Sequence, residues 1–178
     1  MQEKVKEDSS IITYSGNYVD VFNPDPNSIT IEDGAHALSL LCRFGGHTPK
    51  MFSVAEHSLH VMDLLPHHQK LAGLMHDFSE AYLIDIPRPI KHNLPQYMEL
   101  EDSLMIVIAK KFGFRYPFDP EIKKADMDAF YTEWGRVINA PKRTGIQKIL
   151  GINKLKLMSS KKAERKFLKA YKKLTKWV

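Results

Sequence analysis

The sequence is poor in three things, and each absence excludes something. A single cysteine, Cys42, in 178 residues leaves no disulfide within the chain and fits a reducing, intracellular compartment. No apolar run approaches the ~20 residues needed to span a bilayer. The stretch from Met1 to Ser10 is charged where a secretory leader would be apolar. There is also no internal repeat and no low-complexity tract, which removes solenoid and fibrous architectures. These absences predict a cytoplasmic protein with no membrane partner, dependent on its own core. With 43% apolar and 26% charged residues the composition is sufficient for one.

Acidic residues are scarce in only one place. From Pro141 to Val178 there are 13 Lys and Arg against one acid, Glu164, a net +12. The first 140 residues then carry 13 basic and 20 acidic residues, a net −7, although the whole chain is +5. A basic tail on an acidic body admits a nucleic-acid-binding module as a second reading. Yet few aromatics are interleaved for base stacking and no nucleic-acid motif occurs. An amphipathic helix docking Phe167, Tyr171 and Leu174 on the body, with lysines outward, accounts for the tail better.

What is present is helical punctuation. Residues 1–30 read as a lead-in, with Ile11 to Tyr14 and Tyr18 to Phe22 able to pair as a hairpin across Tyr14-Ser15-Gly16-Asn17. From Thr30 the apolar spacing turns helical, with Ile31, Ala35, Leu38 and Leu41/Cys42 on one face and Gly45-Gly46 as the stop. Ser53-Val54-Ala55-Glu56 is a capping box opening a helix that ends at Pro66. A third helix is expected from about Gln69 to Ile84, a fourth from Pro95 to Gly113, a fifth from Asp119-Pro120 and a last from about Ser160. The fold class is all-α, a helical bundle with a short irregular or hairpin N-terminal segment. One domain is expected over 1–178: lead-in 1–30, core 31–140 and basic helical extension 141–178.

The chemistry centres on Leu74-Met75-His76-Asp77-Phe78-Ser79-Glu80. A histidine and an aspartate amid apolar residues are costly to bury unless something pairs them. Glu80, four residues after His76 and three after Asp77, shares their face, and Asp85 follows at the end of the same helix. A metal needs further ligands. His57, on the capping-box helix, and Asp126, on the fifth helix between the small residues Ala125 and Ala129, are the best placed. Two imidazoles and two carboxylates suit a borderline to hard divalent ion such as Zn²⁺, Mn²⁺ or Co²⁺.

The order His57, His76-Asp77, Asp126 resembles the signature of HD-domain phosphohydrolases. The Ser53-Val-Ala-Glu-His-Ser58 segment, His76-Asp-Phe-Ser-Glu80, Asp85-Ile-Pro-Arg-Pro-Ile-Lys91 and Lys124-Ala-Asp126 each resemble stretches of the bacterial 5′-deoxynucleotidases. Ala35-His-Ala-Leu-Ser39, Cys42-Arg-Phe-Gly-Gly-His47-Thr and Glu164 to Leu168 resemble a compact phage and bacterial subgroup, which includes phage dATP triphosphohydrolases of the DatZ type. The short spacing from His57 to His76 draws the likeness toward that subgroup.

The resemblance implies an HD-domain bundle with one divalent ion on His57, His76, Asp77 and Asp126. It implies Glu80 and Asp85 as catalytic groups, and Arg43, Phe44, His47 and Lys91 around the substrate. The expected substrate is a deoxynucleotide, best a dNTP such as dATP cleaved to the deoxynucleoside, with additional Mg²⁺ or Mn²⁺ accompanying a triphosphate. A 5′-deoxynucleotidase acting on dNMPs is the alternative. A homo-oligomer is implied too, in the host cytoplasm if the source is a phage.

Overall fold

The computed structural model describes residues 10–137 and 157–176. The charged start of the lead-in and the looser segment expected after Pro141 lie outside the described residues. The hairpin forms. Strand β1 (Ser10–Ile12) pairs antiparallel with β2 (Tyr18–Asp20) in the register Ser10 to Asp20, Ile11 to Val19 and Ile12 to Tyr18. Gly16, at φ 86°, turns the chain between them.

Eight helices follow among the described residues: α1 (Ile31–Leu40), α2 (Val54–Leu64), α3 (Lys70–Leu74), α4 (Glu80–Leu83), α5 (Arg88–Lys91), α6 (Pro95–Phe112), α7 (Pro120–Val137) and α8 (Ser160–Leu174). The all-α class with a short N-terminal hairpin is what the chain adopts. The end signals read from sequence act locally. Thr30 caps α1 by accepting from the Asp33 amide at 3.1 Å, and Ser53 caps α2 by accepting from the Glu56 amide at 3.2 Å. Gly113, at φ 74°, closes α6 in the left-handed conformation.

Three expectations need correction. The first helix stops at Leu40, short of Gly45-Gly46, because Leu41 and Cys42 turn extended and bridge to Ser53. The Arg43 amide then bonds the Phe52 carbonyl at 2.9 Å, leaving Arg43–Gly46 as a tight turn. The capping box is half a box. Glu56 does not fold back on Ser53; its carboxylate accepts from the Met158 amide at 3.1 and 3.2 Å, tying the entry to α8 onto α2. Finally, the single helix expected over Gln69–Ile84 is two short ones, α3 and α4. Between them Met75–Ser79 winds tighter, with Phe78 N–H bonding Met75 O and Glu80 N–H bonding Asp77 O at 3.0 Å each. Periodicity does not distinguish the two, since apolar positions three apart suit either winding.

The main core joins the lead-in to α1, α6 and α8. Val19 and Ile29 from the lead-in, Leu38 from α1, Leu74 and Phe78, Leu104 and Ile108 from α6, and Phe167 from α8 belong to one buried cluster. The basic α8 therefore docks by its apolar stripe, with Ala163 and Phe167 both 0% exposed. A second cluster of Val61, Leu65, Ala72, Ile122, Ala125 and Ala129 packs α2 and α3 against α7. The small Ala125 and Ala129 bring α7 close to α2. None of the described helices is long and apolar enough to cross a membrane.

Asp33 fastens the hairpin to α1. Its carboxylate accepts from Thr13 Oγ1 at 3.0 Å, Ser15 N at 2.7 Å, Ser15 Oγ at 2.8 Å and Thr30 Oγ1 at 2.8 Å. Burial works to raise its pKa, but these donors outweigh burial and hold it below the ordinary carboxylate range. A depressed folded pKa contributes stability that is fully present above the unfolded value of about 3.9 and is lost as pH falls through the folded one. Asp33→Asn is therefore expected to cost about 1–3 kcal/mol at pH 6. Thermal melts between pH 6 and pH 2.5 are expected to show the gap from wild type narrowing on acidification. A gap independent of pH contradicts the assignment.

Candidate metal centre

The centre forms where α2, the Met75–Ser79 turns and α7 meet, with the Arg43 turn beside it. His57 on α2 is 0% exposed, and its ring centroid lies 5.1 Å from that of His76. From α7, Asp126 Oδ1 comes within 3.1 Å of His57 Nε2 and 3.9 Å of His76 Nε2. Asp77 Oδ2 lies 3.6 Å from His57 Nε2 and 3.1 Å from His76 Nε2. His57, His76 and Asp126 each present one ligand atom within 4.8 Å of the others. Ligands bound at about 2.1 Å to one ion lie about 3.0–3.4 Å apart, so the two 3.1 Å pairs already match a single divalent cation and the 3.6 and 3.9 Å pairs have only about 0.2–0.5 Å to close.

The rings are aimed as metal-binding rings are. His76 Nδ1–H donates to the Gly73 carbonyl at 2.9 Å, which leaves its buried Nε2 without a hydrogen-bond partner. His57 Nδ1 lies 2.9 and 3.0 Å from the two oxygens of Glu133, so its Nε2 also faces inward. A hydrogen bond on one ring nitrogen frees the other for a metal.

No family model matches the chain. It is 40% identical over 127 residues to the uncharacterized protein YfdR of Escherichia coli strain K12, covering 70% of each chain. The chain belongs to the YfdR family. A second relative, the uncharacterized protein RCAP_rcc00048 of Rhodobacter capsulatus, is 36% identical over 121 residues, 62% of each chain. Neither name carries an activity, and the chemistry of this YfdR-family chain lies in its site.

Charge in that site is tightly balanced. Burial and Arg43 push the His57 pKa down, but Glu133 and Asp126 outweigh them and hold it at about 9. Burial would raise Asp77, but His76, His57 and Arg43 hold it well below the carboxylate range. Asp126 is likewise lowered against its burial, chiefly by the His57 hydrogen bond. Glu80 goes the other way. It is 6% exposed, its Oε2 has no partner, and burial beside Asp77 and Asp85 raises its pKa well above the usual range. Asp85 is raised for the same reason, burial first and Asp77 next among the causes that raise it. Ile84, which presents Asp85, sits at φ 61°, ψ 158°, a conformation costly for a β-branched residue.

The residues read as substrate contacts are dispersed around this centre. Arg43 is buried, with Nη1 3.4 Å from Asp77 Oδ2 and Nε 3.7 Å from Glu133 Oε2. Phe44, at φ 57°, forms an aromatic cluster with Phe130 at 5.8 Å and Trp134 at 6.0 Å. Lys91 is engaged by Glu101 at 2.6 Å. His47 is exposed and makes no side-chain hydrogen bond among the described residues.

Two residues escaped the sequence reading. Glu133, 1% exposed, lies beneath the centre and also reaches His60 Nδ1 at 2.9 Å. Its one signal is position: seven residues after Asp126, two turns along the same face of α7. Arg88 places Nη2 3.9 Å from Asp126 Oδ2 and its guanidinium 5.9 Å from the Phe130 centroid, with the side chain 55% exposed. It stands inside the Asp85–Lys91 motif.

Proposed function

We propose that this chain is a metal-dependent phosphohydrolase acting on a deoxynucleotide, with the ion held by His57, His76, Asp77 and Asp126. The observation that carries the reading is the convergence of four ligand atoms from three segments, spaced 3.1–3.9 Å along the measured pairs. Two imidazoles with two carboxylates suit Mn²⁺, Co²⁺ or Zn²⁺. Bound there, such an ion supplies Lewis acidity toward a phosphoryl oxygen and acidifies water.

The chain's own groups do the rest. Arg43 and Arg88 flank the centre and bind phosphate oxygens, for which a guanidinium fork is suited. Lys91 adds to the field from its pair with Glu101. Glu80 Oε2, buried and without a partner, takes and returns the proton of the attacking water, with Asp85 beside it to orient the nucleotide. A raised carboxyl pKa is what such a role needs at neutral pH. Phe44, with Phe130 and Trp134, forms the apolar side against which sugar and base are held. The deoxynucleotide is drawn from the likeness to HD-domain phosphohydrolases, and the compact His57–His76 spacing favours a dNTP, dATP first.

The test is a product assay. The purified protein, with Mn²⁺, Co²⁺ or Zn²⁺, is incubated with each dNMP and dNTP and the products are separated chromatographically. Conversion of dATP to deoxyadenosine is the expected result. Cleavage of dNMPs alone moves the substrate to the monophosphates, and no turnover with any of these metals overturns the reading.

A further inference from the structure

Buried carboxylates outside a ligand set are rare enough to require an account, and Glu133 has three basic neighbours. Its oxygens lie 2.9 and 3.0 Å from His57 Nδ1, and Oε1 lies 2.9 Å from His60 Nδ1. Arg43 Nε stands 3.7 Å from Oε2 and has no other partner. The far side of the His57 ring meets Asp126, and the Nη1 end of Arg43 meets Asp77. One carboxylate thus holds the rear of both the His57 ring and the Arg43 guanidinium. Because it shares a helix face with Asp126, α7 provides one ligand directly and anchors another.

We propose that Glu133 is a positioning residue that couples the metal affinity of His57 to the aim of Arg43. The proposal rests on reading the cluster as a metal centre. A carboxylate behind an imidazole orients the ring and makes its far nitrogen a stronger donor, an effect worth 10- to 100-fold in affinity at comparable sites. A glutamine there keeps the size and one acceptor, but loses the charge and turns an amide N–H₂ toward His60 or Arg43, which are themselves donors. A packing role alone would leave metal affinity to the four ligands.

The experiment titrates full-length Glu133→Gln with Mn²⁺ against a competing chelator and records the visible spectrum with Co²⁺. Folding is checked by far-UV circular dichroism and melting without metal. The expected result is a 10- to 100-fold loss of Mn²⁺ affinity and an altered Co²⁺ spectrum in a folded protein. Glu133→Asp, which keeps the charge on a shorter arm, is expected to fall between. In the product assay, KM is expected to rise through Arg43 as well as kcat to fall. Affinity within twofold of wild type in folded Glu133→Gln overturns the proposal. Should that variant not fold, unchanged affinity in Glu133→Asp overturns it equally. A wild type that binds none of Mn²⁺, Co²⁺ or Zn²⁺ instead overturns the metal centre itself, and Asp126→Ala, expected to abolish binding, marks that limit.

Discussion

Asp77→Asn is expected to reduce metal-dependent phosphate release by about 10³- to 10⁵-fold while leaving the far-UV spectrum unchanged. The magnitude follows from removing a charged ligand: several kcal/mol of transition-state stabilisation, at about 1.4 kcal/mol per factor of ten. The expectation of an intact fold follows from where the side chain points. Asp77 Oδ2 faces His57, His76 and Arg43, and asparagine has the same shape. What changes is charge. Without Asp77, Arg43 keeps only Glu133 as an ion-pair partner among the described residues, so substrate binding is expected to weaken alongside metal binding. Phosphate release and Mn²⁺ affinity measured on the same preparation separate the two. Turnover within tenfold of wild type would remove Asp77 from the centre.

The second large effect is on stability. A Cβ on Gly34 would lie 2.0, 2.4 and 2.7 Å from three atoms of the Phe78 ring. That ring is 0% exposed and packs against Phe112 at 5.3 Å and Phe167 at 6.3 Å, so it has little room to retreat. Gly34→Ala is expected to destabilise the fold by about 3 kcal/mol, the upper range of ordinary overpacking, despite the helix propensity gained. For a chain of this size that corresponds to a melting temperature lower by roughly 6–12 °C. Because Phe78 follows Asp77, the displaced ring is also expected to disturb the ligand turn and weaken Mn²⁺ binding. Adding Phe78→Leu to Gly34→Ala is expected to recover part of the loss. A melting temperature within 2 °C of wild type for Gly34→Ala would refute the close approach.

Local signals in the sequence were reliable where one residue decides the backbone. Ser53, Gly113 and the prolines at 95 and 120 act where they stand because a cap or a ring acts within one turn. The ordered histidines and aspartates were legible as well, since the cost of burying them demands a partner. The interruption at Met75–Ser79 was not, because its apolar spacing is that of a continuous helix. One contact there is local, the His76 ring taking the Gly73 carbonyl three residues back, and one is tertiary, Phe78 filling the notch left by Gly34. Nor was the pairing of Lys91 with Glu101 or the depth of Glu133, each set by which helix lies opposite. Glu133 sits in Tyr131-Thr132-Glu133-Trp134, where an acid ordinarily faces solvent.

Phe167 lies against Phe78, the residue that follows ligand Asp77, although about 90 positions separate them in the chain. During translation at roughly 5–20 residues per second, the ligand turn waits on the order of 5–20 s for the helix that closes the wall behind it. Throughout that interval the nascent chain presents Phe78 without Phe167 against it, an apolar surface of the kind chaperones recognise, so the wall behind the ligand turn is complete only once α8 has been made.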